Sequence, residues 1–167
     1  GVGKSTLVAL LGQCLGWQPF YEPQDENPYL ADFYQNMEAW SFHSQVFFLT
    51  RRLRAHHQLL LHPTSVIQDR SVYEDACVFA HNLYLQGHID ERDYRTYRDL
   101  YEVLTLFLAP PDLVVYLRAS VDTLFERIRG RGRGYEQNIS REYLERLNNL
   151  YEEWIGGFNL CPVLTVP

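Results

Sequence analysis

The sequence has few of the features that would set it apart from ordinary globular proteins. Its cysteines number only three, Cys14, Cys77 and Cys161, an odd and widely spaced set without a C-x-x-C pair. Neither a disulfide framework nor a zinc site is therefore expected. No apolar run approaches the roughly 18 residues of a membrane span, and no cleavable signal pattern is present. We expect a cytoplasmic protein with no membrane partner.

The chain also has fewer positively than negatively charged side chains. The chain carries 15 Lys and Arg against 21 Asp and Glu, a net charge of −6. This balance argues against binding to a nucleic acid polymer, although a local basic patch can still hold a small anion such as a nucleotide. Repeats, low-complexity tracts and flexible linkers are absent from the sequence. A chain of 167 residues, 46% of them hydrophobic, is predicted to form a single domain over residues 1–167.

At both ends, the sequence breaks off at a predicted structural element. The sequence starts without Met at Gly1-Val2-Gly3-Lys4-Ser5-Thr6, in the middle of a glycine-rich loop, and stops at Val163-Leu164-Thr165-Val166-Pro167, which has the pattern of a buried strand. We expect the domain to be truncated at both ends, with its first strand missing.

Hydrophobic periodicity predicts alternating helices and short apolar strands. Helices are predicted over Ser5–Leu15, Pro28–Met37, Ser41–His62, Tyr73–Gln86, Asp90–Leu108, Val121–Gly130 and Ser140–Trp154, and strands over Trp17–Tyr21, Ser65–Asp69, Leu113–Leu117 and the C-terminal residues. Strands separated by helices long enough to cross over predict an α/β fold, with a parallel sheet and helices on both of its faces. Ligands of such folds bind beyond the carboxyl ends of the strands, where Gly1–Thr6, Glu22 and Asp69-Arg70 all fall.

The first motif is Gly3-Lys4-Ser5, the closing half of G-x-x-x-x-G-K-[ST]. In that motif backbone N–H groups and a helix N-terminus surround phosphate oxygens, the lysine adds a positive charge, and the serine hydroxyl ligates Mg²⁺. A glycine-rich turn before a helix capped by serine fits the same residues.

The second motif is Asp69-Arg70 at the end of an apolar strand. An acid at this place holds the magnesium of many phosphate-transferring enzymes, and Arg70 adds an anion-binding fork beside it. A helix cap or a structural ion pair explains the two residues equally well.

The third motif is rich in arginine. Arg127, Arg129, Arg131 and Arg133 follow one another with interleaved glycines and no acid between them. A mobile basic flap of this kind neutralises a moving phosphoryl group and excludes water. A solvated basic loop or an arginine-rich RNA-binding patch are the alternatives. The overall acidity and the phosphate loop favour the flap.

Two polar residues share one face of the longest predicted helix. Gln45 and Arg52 lie two helical turns apart on an otherwise apolar surface. They can read the hydrogen-bonding edge of a nucleobase if that face is covered, or belong to the surface if it is exposed.

Taken together, these residues resemble the deoxyribonucleoside kinases. The resemblance runs in order through nearly the whole chain and includes Gly1-Val2-Gly3-Lys4-Ser5, Tyr21-Glu22-Pro23, Asn27-Pro28-Tyr29-Leu30, Trp40-Ser41-Phe42, Asp69-Arg70-Ser71 and the arginine segment with Glu136-Gln137. The Asn-Pro-Tyr-Leu and Asp-Arg-Ser forms are closest to the bacterial deoxyadenosine and deoxyguanosine kinases. The resemblance implies a three-layer P-loop kinase fold with an arginine-rich lid.

The resemblance also implies a role for each matching residue. Glu22 corresponds to the general base on the sugar 5′-hydroxyl, and Arg70 to the arginine that orients this hydroxyl and stabilises the transferring charge. The remaining roles are ATP binding by Gly1, Gly3, Lys4, Ser5, Thr6, Arg127, Arg131 and Arg133, Mg²⁺ binding by Ser5 and Asp69, sugar binding by Tyr34 and Glu136, and base binding by Gln45, Arg52, Asp75 and Phe79.

The substrate and the assembly are implied in the same way. In this family a charged pair such as Arg52 with Asp75 accompanies deoxyadenosine, deoxyguanosine or deoxycytidine, so a purine deoxynucleoside is expected first, deoxycytidine is possible and thymidine is disfavoured. Phe48 departs from the small residue of the deoxycytidine enzyme and leaves the purine choice open. A homodimer serving nucleotide salvage is implied. The alternatives are a nucleoside monophosphate kinase of thymidylate type and a catalytically weak partner subunit.

Overall fold

The computed structural model describes residues 2–21, 27–132 and 139–167. Its helices are α1 (Lys4–Leu15), α2 (Leu30–Gln35), α3 (Met37–Leu60), α4 (Val72–Glu74), a π-helix (Asp75–Ala80), α5 (His81–Leu85), α6 (Glu91–Thr105), α7 (Val121–Arg131) and α8 (Arg141–Gly157). Its strands are β1 (Gln18–Phe20), β2 (Val66–Gln68), β3 (Val114–Leu117) and β4 (Val163–Val166). The chain forms two compact units, a middle unit of Val8–Ala109 and a terminal unit that joins the residues up to Leu7 with Pro110–Pro167.

The middle unit is built around α3. Strands β1 and β2 pair in parallel, with Gln18 opposite Val66 and Phe20 opposite Gln68. Helix α3 packs against α2, α4, the π-helix and α6. Leu49 of α3, Val72 of α4 and Tyr97 of α6 are almost completely buried, so the core of this unit lies where these helices meet.

The terminal unit contains the other strand pair. Strands β3 and β4 are parallel, with Val114 opposite Val163 and Leu117 opposite Val166, and α7 packs against α8. Ser120 and Ser140 begin the two helices, since their hydroxyls accept hydrogen bonds from the N–H groups of Thr123 and Tyr143 at 3.1 Å. Such N-terminal caps satisfy donors that the helix itself leaves unpaired.

The predicted order of helices and strands is confirmed, and both strand pairs are parallel as expected. Several boundaries differ by two or three residues, and the largest difference is at Asn36, where the predicted helices Pro28–Met37 and Ser41–His62 in fact divide. The Asn36 side chain accepts a hydrogen bond from the N–H of Ala39 at 3.2 Å, which starts α3 four residues earlier than the apolar pattern indicated. The predicted helix Tyr73–Gln86 also contains the π-helix, which the pattern did not show.

Within the described ranges, none of the helices has the length and apolar character needed to cross a bilayer.

Candidate active site

The phosphate loop of the sequence leads directly into α1. Gly3 has a φ of +98°, a conformation that glycine adopts without steric cost. Its carbonyl oxygen accepts the N–H of Leu7 at 3.0 Å, and α1 begins at the next residue, Lys4. Lys4, Ser5 and Thr6 therefore form the first turn of a helix, where backbone N–H groups are available to phosphate oxygens.

A cavity lies in the terminal unit beside this loop. Its volume is about 860 Å³, and its lining includes Val2, Ser120 and Arg127. The Arg127 Nη1 atom donates a hydrogen bond to the carbonyl oxygen of Val2 at 3.3 Å. Arg127 and Arg131 both belong to α7, so the beginning of the arginine segment is helical and is linked to the phosphate loop through Arg127.

The cavity also contains an ion pair between Arg118 and Glu152 that the sequence analysis did not predict. Arg118 follows β3 and donates from Nε and Nη2 to the Glu152 carboxylate, each at 2.8 Å, while the Tyr116 hydroxyl donates to Glu152 at 3.1 Å. The hydrogen bonds from Arg118 lower the pKa of Glu152, and burial together with the Glu152 charge raises the pKa of Tyr116 to about 12. The only sequence signal that could have indicated this ion pair is the position of Arg118 at the end of a predicted strand.

In the middle unit, Asp69 and Arg70 directly follow β2. Asp69 is buried, as expected of an acid held at a sheet edge. Arg70 has a φ of +71°, a left-handed conformation that is uncommon for residues other than glycine. Local strain of this kind often occurs at functional sites.

The side chain of Arg70 is surrounded by the next helices. Its guanidinium carbon lies 3.9 Å from the centre of the Phe79 ring, a cation–π distance. Its Nε atom lies 3.9 Å from Glu74 Oε2 and 3.8 Å from Asp75 Oδ1. The structure thus brings together residues predicted for two different roles: Arg70 for catalysis, and Asp75 and Phe79 for base binding.

Helix α3 supplies the other side of this cluster. Gln45 and Arg52 are 6% and 5% exposed, which decides against the surface alternative for this helix face. The Arg52 Nε atom donates to Asp75 Oδ2 at 3.0 Å. Buried polar groups at such positions need partners, and Asp75 provides one for Arg52. We refer below to Gln45, Arg52, Arg70, Asp75 and Phe79 as the buried polar cluster.

The charge of Asp75 is balanced between opposing effects. Burial raises its pKa from the ordinary 3.8 to about 6, although Arg52 and Arg70 act to lower it. The carboxyl group is therefore able to change its charge in the mildly acidic range.

The π-helix begins at Asp75 and carries Phe79. Short π-helical segments shift the side chains that follow them relative to an ordinary helix and are frequent at functional sites. The sequence gave no sign of this segment, since its apolar residues fit a continuous helix equally well. Glu74 was likewise missed, although its carboxylate accepts the N–H of Ser71 at 2.9 Å and faces Arg70.

Other predicted site residues lie elsewhere or outside the described ranges. Tyr34 is on α2 and is 53% exposed, with the Phe33 ring as its aromatic neighbour. Gly1, Glu22, Arg133 and Glu136 lie outside the residues that the structure describes. Their roles are not tested by the geometry.

A family model described as deoxynucleoside kinase matches residues 1–167. The chain is 42% identical to the deoxyadenosine/deoxycytidine kinase of Bacillus subtilis (strain 168), over 98% of this chain and 76% of that protein. It is 38% identical to the deoxyadenosine kinase of Dictyostelium discoideum, over 99% of this chain and 68% of that protein.

Solved structures give the same result. The deoxyadenosine kinase from M. mycoides with bound dATP superimposes with a TM-score of 0.86 at 36% identity, covering 99% of this chain and 86% of that chain. Another structure of that enzyme holds the products dCMP and dCDP, and also has a TM-score of 0.86.

The fold and the nucleotide-type site define a phosphotransferase with the P-loop kinase fold. The family model matches residues 1–167, and this match shows, more specifically, that the chain belongs to the deoxynucleoside kinase family. The resemblance inferred from the motifs is confirmed.

Proposed function

We propose that this enzyme transfers the γ-phosphate of ATP to the 5′-hydroxyl of a purine deoxynucleoside, with deoxyadenosine preferred and deoxycytidine as a secondary substrate. Residues 1–167 act in this proposal as one kinase domain serving nucleotide salvage. The observation that carries it is the buried ion pair between Arg52 and Asp75, 3.0 Å apart, with the buried Gln45 two helical turns from Arg52 on the same helix. Relatives named for deoxyadenosine and for deoxyadenosine with deoxycytidine support the same choice.

The chemistry of the bases explains the expected order. Adenine and cytosine both present an exocyclic amino group, and carboxylates and amides are good partners for it. Asp75 and Gln45 supply such groups. Thymine presents a carbonyl oxygen at the corresponding place, which a carboxylate repels. Guanine likewise has an oxygen where adenine has the amino group, so we place deoxyguanosine after deoxyadenosine.

In this proposal all but one of the residues that bind and prepare the acceptor belong to the middle unit, and Glu136 belongs to the terminal unit. Gln45, Arg52 and Asp75 read the base, Phe79 stacks on it, and Tyr34 with Glu136 holds the sugar 3′-hydroxyl. Glu22 accepts the proton of the 5′-hydroxyl as this oxygen attacks phosphorus, because a nucleophile becomes stronger as its proton leaves. Arg70 orients the hydroxyl and stabilises the charge on the transferring group.

The terminal unit binds the donor. The N–H groups at Gly1, Gly3 and the start of α1 surround phosphate oxygens, together with the charge of Lys4 and the hydroxyls of Ser5 and Thr6. Arg127, Arg131 and Arg133 neutralise the negative charge that accompanies phosphoryl transfer. The link from Arg127 to the Val2 carbonyl at 3.3 Å supports this assignment.

Magnesium fits the donor atoms that the sequence supplies. Mg²⁺ prefers hard oxygen ligands, and the Ser5 hydroxyl and the Asp69 carboxylate are of that type. Asp69 is 3% exposed, which is costly for a carboxylate unless a cation or hydrogen bonds balance it. When bound, the ion neutralises phosphate charge. In our proposal Ser5 and Asp69 are the residues that would hold the ion.

The proposed setting is a cytoplasmic homodimer. Cys14, Cys77 and Cys161 are all unpaired, as is usual in a reducing compartment. Four apolar side chains along α6 and just after it are exposed, Leu100, Val103, Leu104 and Phe107. Exposed apolar patches of this kind often form contacts between subunits.

A competition assay tests the function. The protein is offered deoxyadenosine, deoxyguanosine, deoxycytidine and thymidine together with Mg-ATP, and the monophosphates are separated. We expect deoxyadenosine monophosphate as the dominant product and little thymidine product. Glu22→Gln is the control, with binding retained and turnover lowered by on the order of a hundredfold.

The remaining outcomes distinguish the alternatives. Conversion of monophosphates without conversion of nucleosides would assign the thymidylate-type reaction, which the family match does not favour. No turnover with any acceptor would indicate the weak partner subunit. Thymidine as the main product would remove Arg52 and Asp75 from base reading.

A further inference from the structure

Tyr97 is a buried polar residue for which the proposed reaction has no use. Its side chain has 0% exposure in the middle of α6, and its hydroxyl has no hydrogen-bond partner among the residues that the structure describes. Leaving a buried hydroxyl unpaired costs stability, and phenylalanine would fill the same space without that cost. The hydroxyl therefore calls for an explanation other than packing.

Helix α6, which carries Tyr97, lies beside the helices that carry most of the buried polar cluster. Helix α6 packs against both α3 and the π-helix. The Arg98 Nη1 atom, next to Tyr97 in the chain, lies 3.9 Å from Cys77 Sγ, and the Tyr94 ring stacks with His81. Asp75 lies two residues before Cys77, on the part of the π-helix that leads to Arg52.

The electrostatics agree with this placement. Burial and, after it, the charge of Asp75 raise the pKa of Tyr97 above its ordinary value. Asp75 is also faced by Arg52 from α3, by Arg70 from the β2–α4 connection, and by Glu74. Tyr97 thus adds a neutral hydroxyl to the groups around this carboxylate.

One oxygen of Asp75 is available for such a hydroxyl. Oδ2 accepts the hydrogen bond from Arg52 at 3.0 Å. Oδ1 lies 3.8 Å from Arg70 Nε, which is too long for a hydrogen bond.

We propose that Tyr97 is a positioning residue of the base-reading site, whose hydroxyl donates a hydrogen bond to Asp75 when a deoxynucleoside is bound. The bond holds the carboxylate oriented toward the amino group of the base. This inference rests on the proposed role of Asp75 in base reading.

Tyr97→Phe tests the inference, with Tyr94→Phe as the matched control. Tyr94 lies one turn earlier on α6 and loses the same hydroxyl, but Asp75 is not among the charges that affect it. Dissociation constants for deoxyadenosine, kcat and Tm are measured for both variants and the unmodified enzyme.

We expect Tyr97→Phe to weaken deoxyadenosine binding roughly tenfold, the size of a lost hydrogen bond to a charged group. Its kcat should stay within about twofold, since transition-state contacts are unchanged. Its Tm should not fall, because the unbound enzyme loses no hydrogen bond. Tyr94→Phe should bind deoxyadenosine as the unmodified enzyme does.

The Asp75→Asn variant, alone and combined with Tyr97→Phe, separates this inference from the proposed function. In the Asp75→Asn background, Tyr97→Phe should change affinity by less than about twofold, because the two residues act through one bond. Unchanged affinity in Tyr97→Phe, with weak binding in Asp75→Asn, would overturn the role of Tyr97 alone. Unchanged affinity in Asp75→Asn would instead overturn base reading by Asp75.

A purely structural role gives a different pattern. Tyr97→Phe would then lower Tm together with affinity, or weaken binding equally in both backgrounds. Should Asp75→Asn fail to fold, the comparison of Tyr97→Phe with Tyr94→Phe still decides the question, because neither depends on the double variant.

Discussion

Asp75 shows how one buried residue can be both costly and useful. Its carboxylate must be ionised to pair with Arg52, yet burial raises its pKa to about 6. Desolvation therefore outweighs the attraction of two arginines. The negative charge that we propose for base reading is present only at pH values above this range.

The activity is expected to depend on pH through Asp75. We expect kcat/KM for deoxyadenosine to fall as the pH drops below about 6, because the protonated carboxyl loses its negative charge and with it the ion pair to Arg52. The measurement is a pH profile from 5 to 8, taken on the unmodified enzyme and on Asp75→Asn. An acid limb of the same shape in Asp75→Asn would assign the titration to another group.

Folding stability changes in the opposite direction. The pKa of Asp75 is higher in the folded state, about 6, than its ordinary 3.8, so the folded protein binds this proton more tightly. The resulting stabilisation is complete below the unfolded pKa and is lost as the pH rises through about 6. Relative to Asp75→Asn, the enzyme should lose about 1 kcal/mol of unfolding free energy between pH 5 and 7, which urea denaturation can measure.

Arg70 combines a side chain that we propose for catalysis with an unfavourable backbone conformation. Its φ of +71° costs roughly 1 kcal/mol for a residue with a Cβ atom, and glycine avoids this cost. Arg70→Gly should therefore be about 1 kcal/mol more stable than Arg70→Ala. Both variants lose the guanidinium and should lose kcat to the same extent.

Urea denaturation and steady-state kinetics on the two variants check this expectation. Equal stability of Arg70→Gly and Arg70→Ala would mean that the left-handed backbone carries no strain. A large difference in kcat between them would mean that backbone geometry, rather than the guanidinium, supports turnover.

At the scale of elements, the sequence predicts the start of a helix well where a capping residue directly precedes a regular apolar pattern. Ser120 and Ser140 precede regular apolar patterns, and the helices start next to them as expected. The start of α3 was misplaced because the Asn36 cap, and not the apolar pattern, decides where this helix begins. The π-helix escaped detection because one extra residue in a turn changes backbone hydrogen bonds without changing composition.

Glu74 both caps the start of α4 and acts on the pKa of Asp75. Its carboxylate accepts the Ser71 N–H at 2.9 Å, and its charge contributes to the raised pKa of Asp75. We expect Glu74→Ala to cost about 1 kcal/mol of stability through the lost cap. Glu74→Gln keeps an accepting oxygen and should cost less than half as much.

The same pair of variants separates capping from charge. Removing the negative charge in Glu74→Gln should lower the pKa of Asp75 and move the acid limb of kcat/KM to lower pH. Thermal unfolding and pH profiles provide the two measurements. A limb that stays in place in Glu74→Gln would show that the two carboxylates do not interact.

At the scale of the molecule, the sequence was more informative about the order and pairing of helices and strands than about which side chains contact each other. The parallel pairing of β1 with β2 and of β3 with β4 follows from strands separated by crossover helices. The residues of the buried polar cluster were each identified, but the stacking of Arg70 on Phe79 was not. That contact depends on the left-handed backbone at Arg70 and on the π-helix, which no local pattern records.

The proposed dimer is expected to use exposed apolar side chains on α6 and just after it. Leu100, Val103, Leu104 and Phe107 are 37%, 54%, 36% and 82% exposed. Their spacing of three or four residues places them on one side of α6 and its continuation. Polar side chains would be expected there if α6 faced only water. We therefore expect this apolar stripe to form the contact between two copies of the chain.

Sedimentation velocity provides the measurement. The unmodified enzyme should sediment as a dimer, and Val103→Glu combined with Leu104→Glu should sediment as a monomer, because two buried carboxylates in each copy would have no partners. Leu10→Glu is the matched control, since Leu10 is 53% exposed on α1 and lies outside the stripe. A dimer that persists in the double variant would place the contact elsewhere, and a monomeric unmodified enzyme would mean that the stripe serves no contact between copies.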